Sequence, residues 1–196
     1  LISAVASGST IYYTVPWIPG NISAGVILDP LSVLFACLIA FFGLIISVYS
    51  LGYMKHEENL SRYNYFLLVF IGSMIGLVVS DNFLQMFIFW ELVGVSSYLL
   101  IGFWFEKPSA ADAAKKAFIT TRIGDLALLL GMVWLYAKTG TLLFYDNGNG
   151  CLEQSALARL VAQTTGIGMA VSTGIALLVF CGAIGKSGQV PLHVWL

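Results

Sequence analysis

The chain has 196 residues, of which 59% are hydrophobic and only 10% are charged, and its mean hydropathy is +0.89. Soluble domains carry about 25% charged residues, so this composition excludes an ordinary soluble domain and indicates a membrane protein. The formal net charge of -1, without a basic tract, argues against a nucleic-acid partner. Cysteines stand at positions 37, 151 and 181 without metal-site or disulfide spacing, so we predict no metal site and interpret them as small core residues.

The beginning of the chain differs in character from the rest. Residues 1–15 are apolar but shorter than a membrane span, so we expect residues 1–30 to contain the end of a preceding span and an extramembrane loop. Residues 16–30 contain prolines, glycines and alternating Ile, Val and Leu, which is typical of a loop or hairpin with Trp17 near the membrane interface. Because the chain has no initiator Met and begins and ends within apolar sequence, we expect a fragment of a longer polytopic protein.

Five apolar runs follow, each close to the roughly 20 residues that a membrane helix needs. Backbone groups in lipid must form their hydrogen bonds within the segment, so each run is predicted to be helical. The predicted fold is an all-α, polytopic transmembrane helix bundle. Gly72 and Gly76 have the GxxxG spacing that is typical of a packing face between helices. Within residues 31–196, the predicted spans lie near 31–53, 64–80, 83–105, 119–137 and 168–186.

Two segments outside these runs also predict helices. Residues 108–116 are rich in Ala and place Pro108 in a first helical turn, so the fourth helix is expected to begin outside the membrane, with a surface ion pair between Asp112 and Lys116. Residues 152–163, in the long polar loop after the fourth run, predict a short interfacial helix. Its apolar side is expected to carry Leu157, Leu160 and Val161.

The distribution of basic residues predicts the orientation of the bundle. The loops at 54–63 and 106–118 carry most of the Lys and Arg residues outside the runs. Since basic residues favour the cytoplasmic side, these loops are expected on the cytoplasmic face, or on the equivalent face in an organelle. The loop that contains Asn147 is then expected on the opposite face.

Four of the nineteen Lys, Arg, Asp and Glu residues lie inside the predicted spans: Glu91, Arg122, Asp125 and Lys186. A charged group at the centre of a bilayer costs about 2.5 to 3.5 kcal/mol on insertion scales, so such residues usually face a bundle interior or a polar path. Arg122 and Asp125, three residues apart, either form a structural ion pair or take part in proton transfer. Glu91 is either part of such a path or a neutral side chain that forms a hydrogen bond between helices.

The fifth apolar run ends at Lys186 and is followed by residues that weaken a helix: Ser187, Gly188, Gln189 and Pro191. Irregular backbone at membrane depth is tolerated only where it is buried or lines a wet cavity, and broken helices are a common site architecture in transporters. Lysine can lose its proton when it is desolvated, whereas arginine stays charged. We therefore predict an ion path with Glu91 and Lys186 as its proton-transfer pair. His193 is either a further titratable group on this path or an interfacial residue beside Trp195.

Four segments together resemble a known protein family. They are LDPLS at 28–32, DNFLQMFIFWELVGVSSYLLIGF at 81–103, KAFITTRIGD at 116–125 and GKSGQVPLHVWL at 185–196. As a set they resemble the antiporter-like large subunit of respiratory complex I, which is chain 5 or subunit L of NADH:quinone oxidoreductase. The large subunit of multisubunit sodium/proton antiporters shares the fold of this family and is the main alternative.

The resemblance implies a proton-translocating membrane subunit of NADH:quinone oxidoreductase. It implies that Glu91 of WELVG and Lys186 of the broken helix move protons, and that Arg122 and Asp125 of TTRIGD lie near the same charged path. No cofactor is expected in this chain, because NADH, FMN, iron–sulfur clusters and quinone are expected in partner subunits. The expected partners are the other membrane subunits, the lipid bilayer and protons, with sodium left open as the ion.

Two other functions stay open at this point. A sodium/proton antiporter subunit would transport ions without redox coupling, and a structural membrane module would carry charges that only pair with one another. The family continues past the broken helix into further spans with a histidine and a second key lysine, so we expect about one half-channel here. The expected location is an integral position in a membrane, with the bacterial inner membrane favoured over an organellar inner or thylakoid membrane.

Overall fold

The computed structural model describes residue 8 and residues 10–18 and 22–196 of the chain. Within these ranges the chain forms an antiparallel hairpin of two strands, followed by six helices. The all-α prediction is confirmed for the bundle, and the hairpin precedes it. The strands are β1 (Ile11–Ile18) and β2 (Ile22–Leu28). The helices are α1 (Pro30–Tyr53), α2 (Leu60–Val78), α3 (Phe83–Ile101), α4 (Pro108–Thr139), α5 (Gln154–Ala162) and α6 (Val171–Lys186).

The hairpin corrects the expectation for the first part of the chain. Residues 11–15 belong to β1 and pair with β2, so they are not the end of a preceding span; residues 1–7 and 9 lie outside the described residues. The aromatic and β-branched side chains of IYYTVPWI favour a strand. The side chain of Gln85 in α3 exchanges two hydrogen bonds, both 2.9 Å long, with the backbone N–H and C=O of Gly25 in β2. The hairpin is therefore fastened to the first turn of α3.

Helices α1 to α4 are the described helices that are long and apolar enough to cross a membrane. Helix α6 is shorter than the predicted run at 168–186, because it begins at Val171 and has 16 residues. At a rise of 1.5 Å per residue its length is about 24 Å, whereas the hydrocarbon core of a bilayer is about 30 Å thick. Helix α6 is therefore shorter than the hydrocarbon core that a complete membrane span must cross.

Polar side chains cap the N-termini of α1 and α3. Asp29 and Ser32 form a reciprocal capping box at the start of α1, with Pro30 in its first turn. The Asn82 side chain accepts a 2.7 Å hydrogen bond from the N–H of Gln85 at the start of α3. Asp29 and Ser32 of the LDPLS segment and Asn82 of the DNFLQ segment are therefore accounted for by their role as helix caps.

Helix α4 is continuous from Pro108, so it includes the segment that was expected to precede the membrane. The predicted surface ion pair between Asp112 and Lys116 is wrong. Asp112 Oδ1 instead lies 3.6 Å from the Nζ of Lys115, the preceding residue. In α5, Leu160 is buried as one face of a short helix requires. The other two residues of its predicted apolar side are exposed: Leu157 and Val161.

The three cysteines have different environments. Cys37 is exposed on α1, which corrects its interpretation as a core residue, and Cys181 is partly buried. Cys151 is fully buried, and burial raises the pKa of its thiol to about 12. Its thiol therefore stays protonated and contributes packing. Among the described residues, no group of three or more His, Cys, Asp and Glu side chains is placed to hold a metal ion.

The two ends of the bundle are built differently. At one end the α1–α2 loop and the first turn of α2 meet the α3–α4 loop: Trp104 Nε1 donates to Glu57, and Arg62 Nη2 donates to the carbonyl of Phe103. The basic residues that were expected on one face of the membrane lie at this end, in these two loops and near the starts of α2 and α4. The buried core lies toward the other end, between α3, α4, α5 and α6. Its buried members are Phe83, Leu128, Met132, Leu135, Cys151, Leu160, Val171 and Ile175.

Candidate functional site: a row of alternating charges

Four ionisable side chains from three helices meet inside the bundle, and we call them the charged row: Glu91, Arg122, Asp125 and Lys186. The Arg122 guanidinium forms an ion pair with the Glu91 carboxylate. Arg122 Nη1 also lies 3.6 Å from Asp125 Oδ2, and Lys186 Nζ lies 3.7 Å from the same oxygen. Acid and base therefore alternate along the row, which is neutral when all four groups are ionised.

A close crossing of α4 and α6 brings Asp125 and Lys186 together. A Cβ atom on Gly124 would lie 2.8 Å from the carbonyl oxygen of Cys181 and 3.1 Å from the Cα of Gly185. Glycine permits such an approach of two backbones, because it has no Cβ. Each of the two glycines immediately precedes one of the charged residues, so the backbone contact sets the two side chains next to each other.

Asp125 is the most buried member of the charged row, with 2% of its surface exposed. Its Oδ1 accepts a 2.6 Å hydrogen bond from Trp90 Nε1. Its Oδ2 faces the two cations and accepts no hydrogen bond from the described residues. Burying a carboxylate is unfavourable unless it is paired, so Asp125 depends on Trp90, Arg122 and Lys186 together.

Trp90 is a site residue that the sequence analysis did not identify. Besides its hydrogen bond to Asp125, its ring centroid lies 5.8 Å from Lys186 Nζ, which is within the range of about 6 Å for a cation–π contact. One side chain thus contacts both partners of an ion pair on two other helices. The sequence does contain a signal for this role, because Trp90 directly precedes Glu91 in an apolar run. A buried indole N–H at such a position needs an acceptor from a neighbouring helix.

Glu91 and Lys186 are the two ends of the charged row and not direct partners. Each of them forms its ion pair with a residue of α4, so Arg122 and Asp125 stand between them. The reason is geometric, because α4 packs against both α3 and α6 and carries the ion-pair partner of each residue. Arg122 and Asp125, which were expected only to support the path, therefore connect its two ends. The role of each of the four residues in proton transfer stays a prediction.

The chain after Lys186 turns back toward the helix that it leaves. Residues 187–188 and 190–195 form turns, as the predicted broken helix requires, and Gly188 has a φ of +58°, which favours glycine. Trp195 Nε1 donates a 3.1 Å hydrogen bond to the carbonyl of Gly185 and so caps the end of α6. His193 is exposed and forms no ion pair with the described members of the charged row, so the structure does not bring it to the site.

A cavity of about 240 Å³ reaches Lys186 along the second half of α3 and the first half of α4. It is mainly apolar, and its polar lining comes from Ser97, Tyr98 and Thr121. It lies on the side of the charged row that faces the α3–α4 loop. A larger cavity of about 370 Å³ lies at the other end of the bundle, around residues 139–149, and no member of the charged row lines it.

Residues 80–196 match a protein family described as NADH:quinone oxidoreductase/Mrp antiporter, TM. The match covers more than half of the chain and all four members of the charged row. The chain belongs to this family. Residues 17–64 match a second family, described as NADH-ubiquinone oxidoreductase (complex I), chain 5 N-terminus. The resemblance carried by the sequence motifs is confirmed.

Similar proteins of this family include chloroplast subunits from plants. The proteins named NAD(P)H-quinone oxidoreductase subunit 5, chloroplastic, are 43% identical in Poa pratensis and 44% in Hordeum vulgare, each over 97% of this chain. The chain covers 27% and 25% of these proteins, so it spans about a quarter of the length of the curated relatives it matches. The structure of the Mrp complex from Dietzia sp. DQ12-45-1b superimposes with a TM-score of 0.79 and 25% identity, over 95% of this chain and 19% of that chain.

Proposed function

We propose that this chain is part of the proton-translocating membrane subunit of an NAD(P)H:quinone oxidoreductase, and that the charged row couples proton release at Lys186 to proton uptake at Glu91. The observation that carries the proposal is the alternation of acid and base across three helices, with one oxygen of Asp125 shared by Arg122 and Lys186. Ionisable residues inside membrane spans usually mark ion paths or proton relays. The names of the relatives, which are subunits of an NAD(P)H-quinone oxidoreductase, support the choice of complex.

The mechanism follows from the different chemistry of the two cations. Lys186 can release a proton, whereas the guanidinium of Arg122 stays charged. Lys186 Nζ lies 3.7 Å from Asp125, which is too long for a hydrogen bond, so this pair is held by charge alone and breaks when the lysine becomes neutral. Asp125 then has Arg122 as its cationic partner and draws it away from Glu91. Without this cation Glu91 gains a proton more readily, so proton release at Lys186 favours proton uptake at Glu91.

The remaining parts of the proposal concern the surroundings of the chain. The redox chemistry, with NAD(P)H, FMN, iron–sulfur clusters and quinone, belongs to partner subunits. Other membrane subunits and lipid cover the exposed apolar side chains of the bundle, among them those along α1. The chloroplastic names of the relatives favour the thylakoid membrane over the bacterial inner membrane.

The test is proton transport by the full-length protein in its assembled complex, reconstituted in vesicles. Lys186→Met and Glu91→Gln should each lower transport at least about a hundredfold, the lower end of what positioned proton transfer contributes, while the complex still assembles. Lys186→Arg should also be a poor substitute, because its guanidinium does not release a proton. Lys116→Met, which removes an exposed lysine of α4, is the matched control. Normal transport in all three variants of the row would contradict the proposal and favour a structural role for the charges.

A sodium/proton antiporter subunit is the second candidate, and its support is the similarity to the Mrp complex. The two functions differ in the energy source for proton transport. In the proposed complex, proton transport requires NAD(P)H and quinone, whereas an antiporter moves protons when a sodium gradient is imposed without any electron donor. Transport that responds to sodium alone would favour the antiporter.

A further inference from the structure

Gly94 lies one helical turn after Glu91, on the face of α3 that meets the charged row. A Cβ atom at Gly94 would lie 2.5 Å from Lys186 Nζ and 3.2 Å from Arg122 Nη2. Both distances are shorter than ordinary van der Waals contact. Two cations from two other helices therefore converge on a position of α3 that has no side chain.

The kind of atom that a Cβ would meet distinguishes Gly94 from the other glycines of the bundle. At Gly124 a Cβ would meet backbone atoms of α6, which cannot move without separating the helices. At Gly94 it would meet the far ends of two flexible side chains. Alanine at position 94 would therefore leave the helix packing in place and displace the Lys186 ammonium. The expected effect of the substitution is therefore a change in the position of the Lys186 charge, without a change in helix packing.

We infer that Gly94 is a positioning residue whose missing side chain provides the space in which the Lys186 ammonium and the Arg122 guanidinium lie together beside Asp125. Gly94 and Lys186 also line the same cavity of about 240 Å³, so this space joins the cavity to the charged row. As far as it concerns transport, the inference rests on the proposed function. The titratable groups of the row that face Lys186 are Asp125, Arg122 and, beyond them, Glu91.

The test compares Gly94→Ala with two other glycine variants of the full-length protein in its complex. Gly94→Ala should assemble with nearly unchanged thermal stability, because the helix gains a better helix former. Its proton transport should fall at least about tenfold, since small displacements of reacting groups cost up to about a hundredfold in rate. The pH at half-maximal transport should also move, because the lysine changes its electrostatic surroundings. A merely structural change would lower the amplitude of transport and leave this pH in place.

Two control variants distinguish the effect of adding a Cβ to a helix from the effect of displacing the Lys186 ammonium. Gly72→Ala places a Cβ in open space, and Gly76→Ala places one 2.5 Å from the ring of Phe89, away from the charged row. Neither should move the pH at half-maximal transport, although Gly76→Ala should lower thermal stability. If Gly94→Ala transports protons as Gly72→Ala does, with the same pH profile, the inference is overturned.

A second variant decides the case in which Gly94→Ala fails to assemble. Lys186→Ala removes the nearer of the two cations, so Gly94→Ala combined with Lys186→Ala should assemble again; failure in both backgrounds overturns the inference. Normal transport by Lys186→Met would instead contradict the proposed function. The positioning inference is then decided by stability alone, since alanine at position 94 should raise thermal stability more in the Lys186→Ala background than in the unchanged protein. An equal effect in both backgrounds would overturn it.

Discussion

Two of the helix crossings in this bundle use glycine for different purposes. Where α2 crosses α3, a Cβ on Gly76 would lie 2.5 Å from the ring of Phe89, so the glycine makes room for an aromatic side chain. Where α4 crosses α6, Gly124 and Gly185 bring the two backbones into contact. The first crossing has no ionisable partner at its contact point, whereas the second places Asp125 beside Lys186.

The difference shows how a small residue can serve packing or chemistry in a membrane. Helices in lipid associate through close van der Waals packing, and small residues permit that at both crossings. At the α4–α6 crossing the glycines are also neighbours in sequence of the charged residues, so the separation of the helices sets the separation of the charges. The α2–α3 crossing is therefore an internal reference, in which a glycine permits close helix packing without a charged site.

The largest effect is expected for Asp125→Asn. Asparagine keeps the size of the side chain and can still accept from Trp90, but it leaves Arg122 and Lys186 without the carboxylate that they share. Removing one partner from a buried ion pair costs about 3–5 kcal/mol, so both assembly and proton transport should fall. Asp112→Asn on the same helix is the control, because its ion pair is exposed and worth less than about 1 kcal/mol. Equal stability and transport in the two variants would show that the α4–α6 crossing has no special electrostatic role.

The next effect is expected for Trp90→Phe, which keeps an aromatic ring and removes the donor to Asp125. A hydrogen bond to a charged group contributes about 1.5–3 kcal/mol, and its loss should lower both thermal stability and transport. Trp104→Phe makes the same change at the exposed hydrogen bond to Glu57, and it should have little effect on either quantity. Thermal unfolding of the assembled complex, together with transport in vesicles, measures the difference. If both variants behave alike, Trp90 is not part of the site.

A smaller effect is expected for Gly124→Ala, and it compares the two crossings directly. Overpacking of a close contact costs about 1–3 kcal/mol, and here it should also move Asp125 away from Lys186, so that transport falls. Gly76→Ala should lower stability to a similar extent, while transport per assembled complex stays unchanged. Equal losses of transport in the two variants would mean that the α4–α6 crossing contributes packing alone.

The smallest effect is expected in the loop between α4 and α5, which lies apart from both crossings. Backbone hydrogen bonds from Gly148, Gly150 and Asp146 hold the pKa of Glu153 below its usual value of 4.5. A carboxyl whose pKa is lowered in the folded state stabilises the fold above its unfolded pKa, and this stabilisation is lost as the pH falls through the folded pKa. The protection factor of the Gly150 amide, which is the intrinsic exchange rate at each pH divided by the observed rate, should therefore fall as the pH drops below 4.5. Glu153→Gln should abolish this pH dependence and leave transport unchanged; a loss of transport as large as that of Trp90→Phe would contradict the separation of loop and site.

The membrane-buried charges were predictable from the sequence, but their partners were not. Isolated Asp, Glu, Lys and Arg residues are conspicuous within long apolar runs, and this singled out all four members of the charged row. Which of them pair depends on how α3, α4 and α6 pack against one another, and the local sequence does not determine that arrangement. The predicted partnership of Glu91 and Lys186 is therefore indirect in the structure.

Two other differences have local causes. Residues 11–15 are apolar and rich in β-branched and aromatic side chains, and a short run of this kind is compatible with a strand as well as with the end of a helix. Trp90 was not identified because its role depends on an acceptor that another helix supplies. In contrast, the break after Lys186 was predictable, because glycine and proline interrupt helices by their own backbone geometry.

The central claim is that Glu91 and Lys186, although not in contact, act through Arg122 and Asp125 as one row. The measurement that tests it most directly is a double-mutant cycle on proton transport by the reconstituted complex, normalised to the amount assembled. If the row acts as a unit, Glu91→Gln combined with Lys186→Met should lose much less transport than the product of the two single losses, because the second change removes a group that the first has already uncoupled. Losses that multiply independently would mean that the two residues act separately, and would contradict the account.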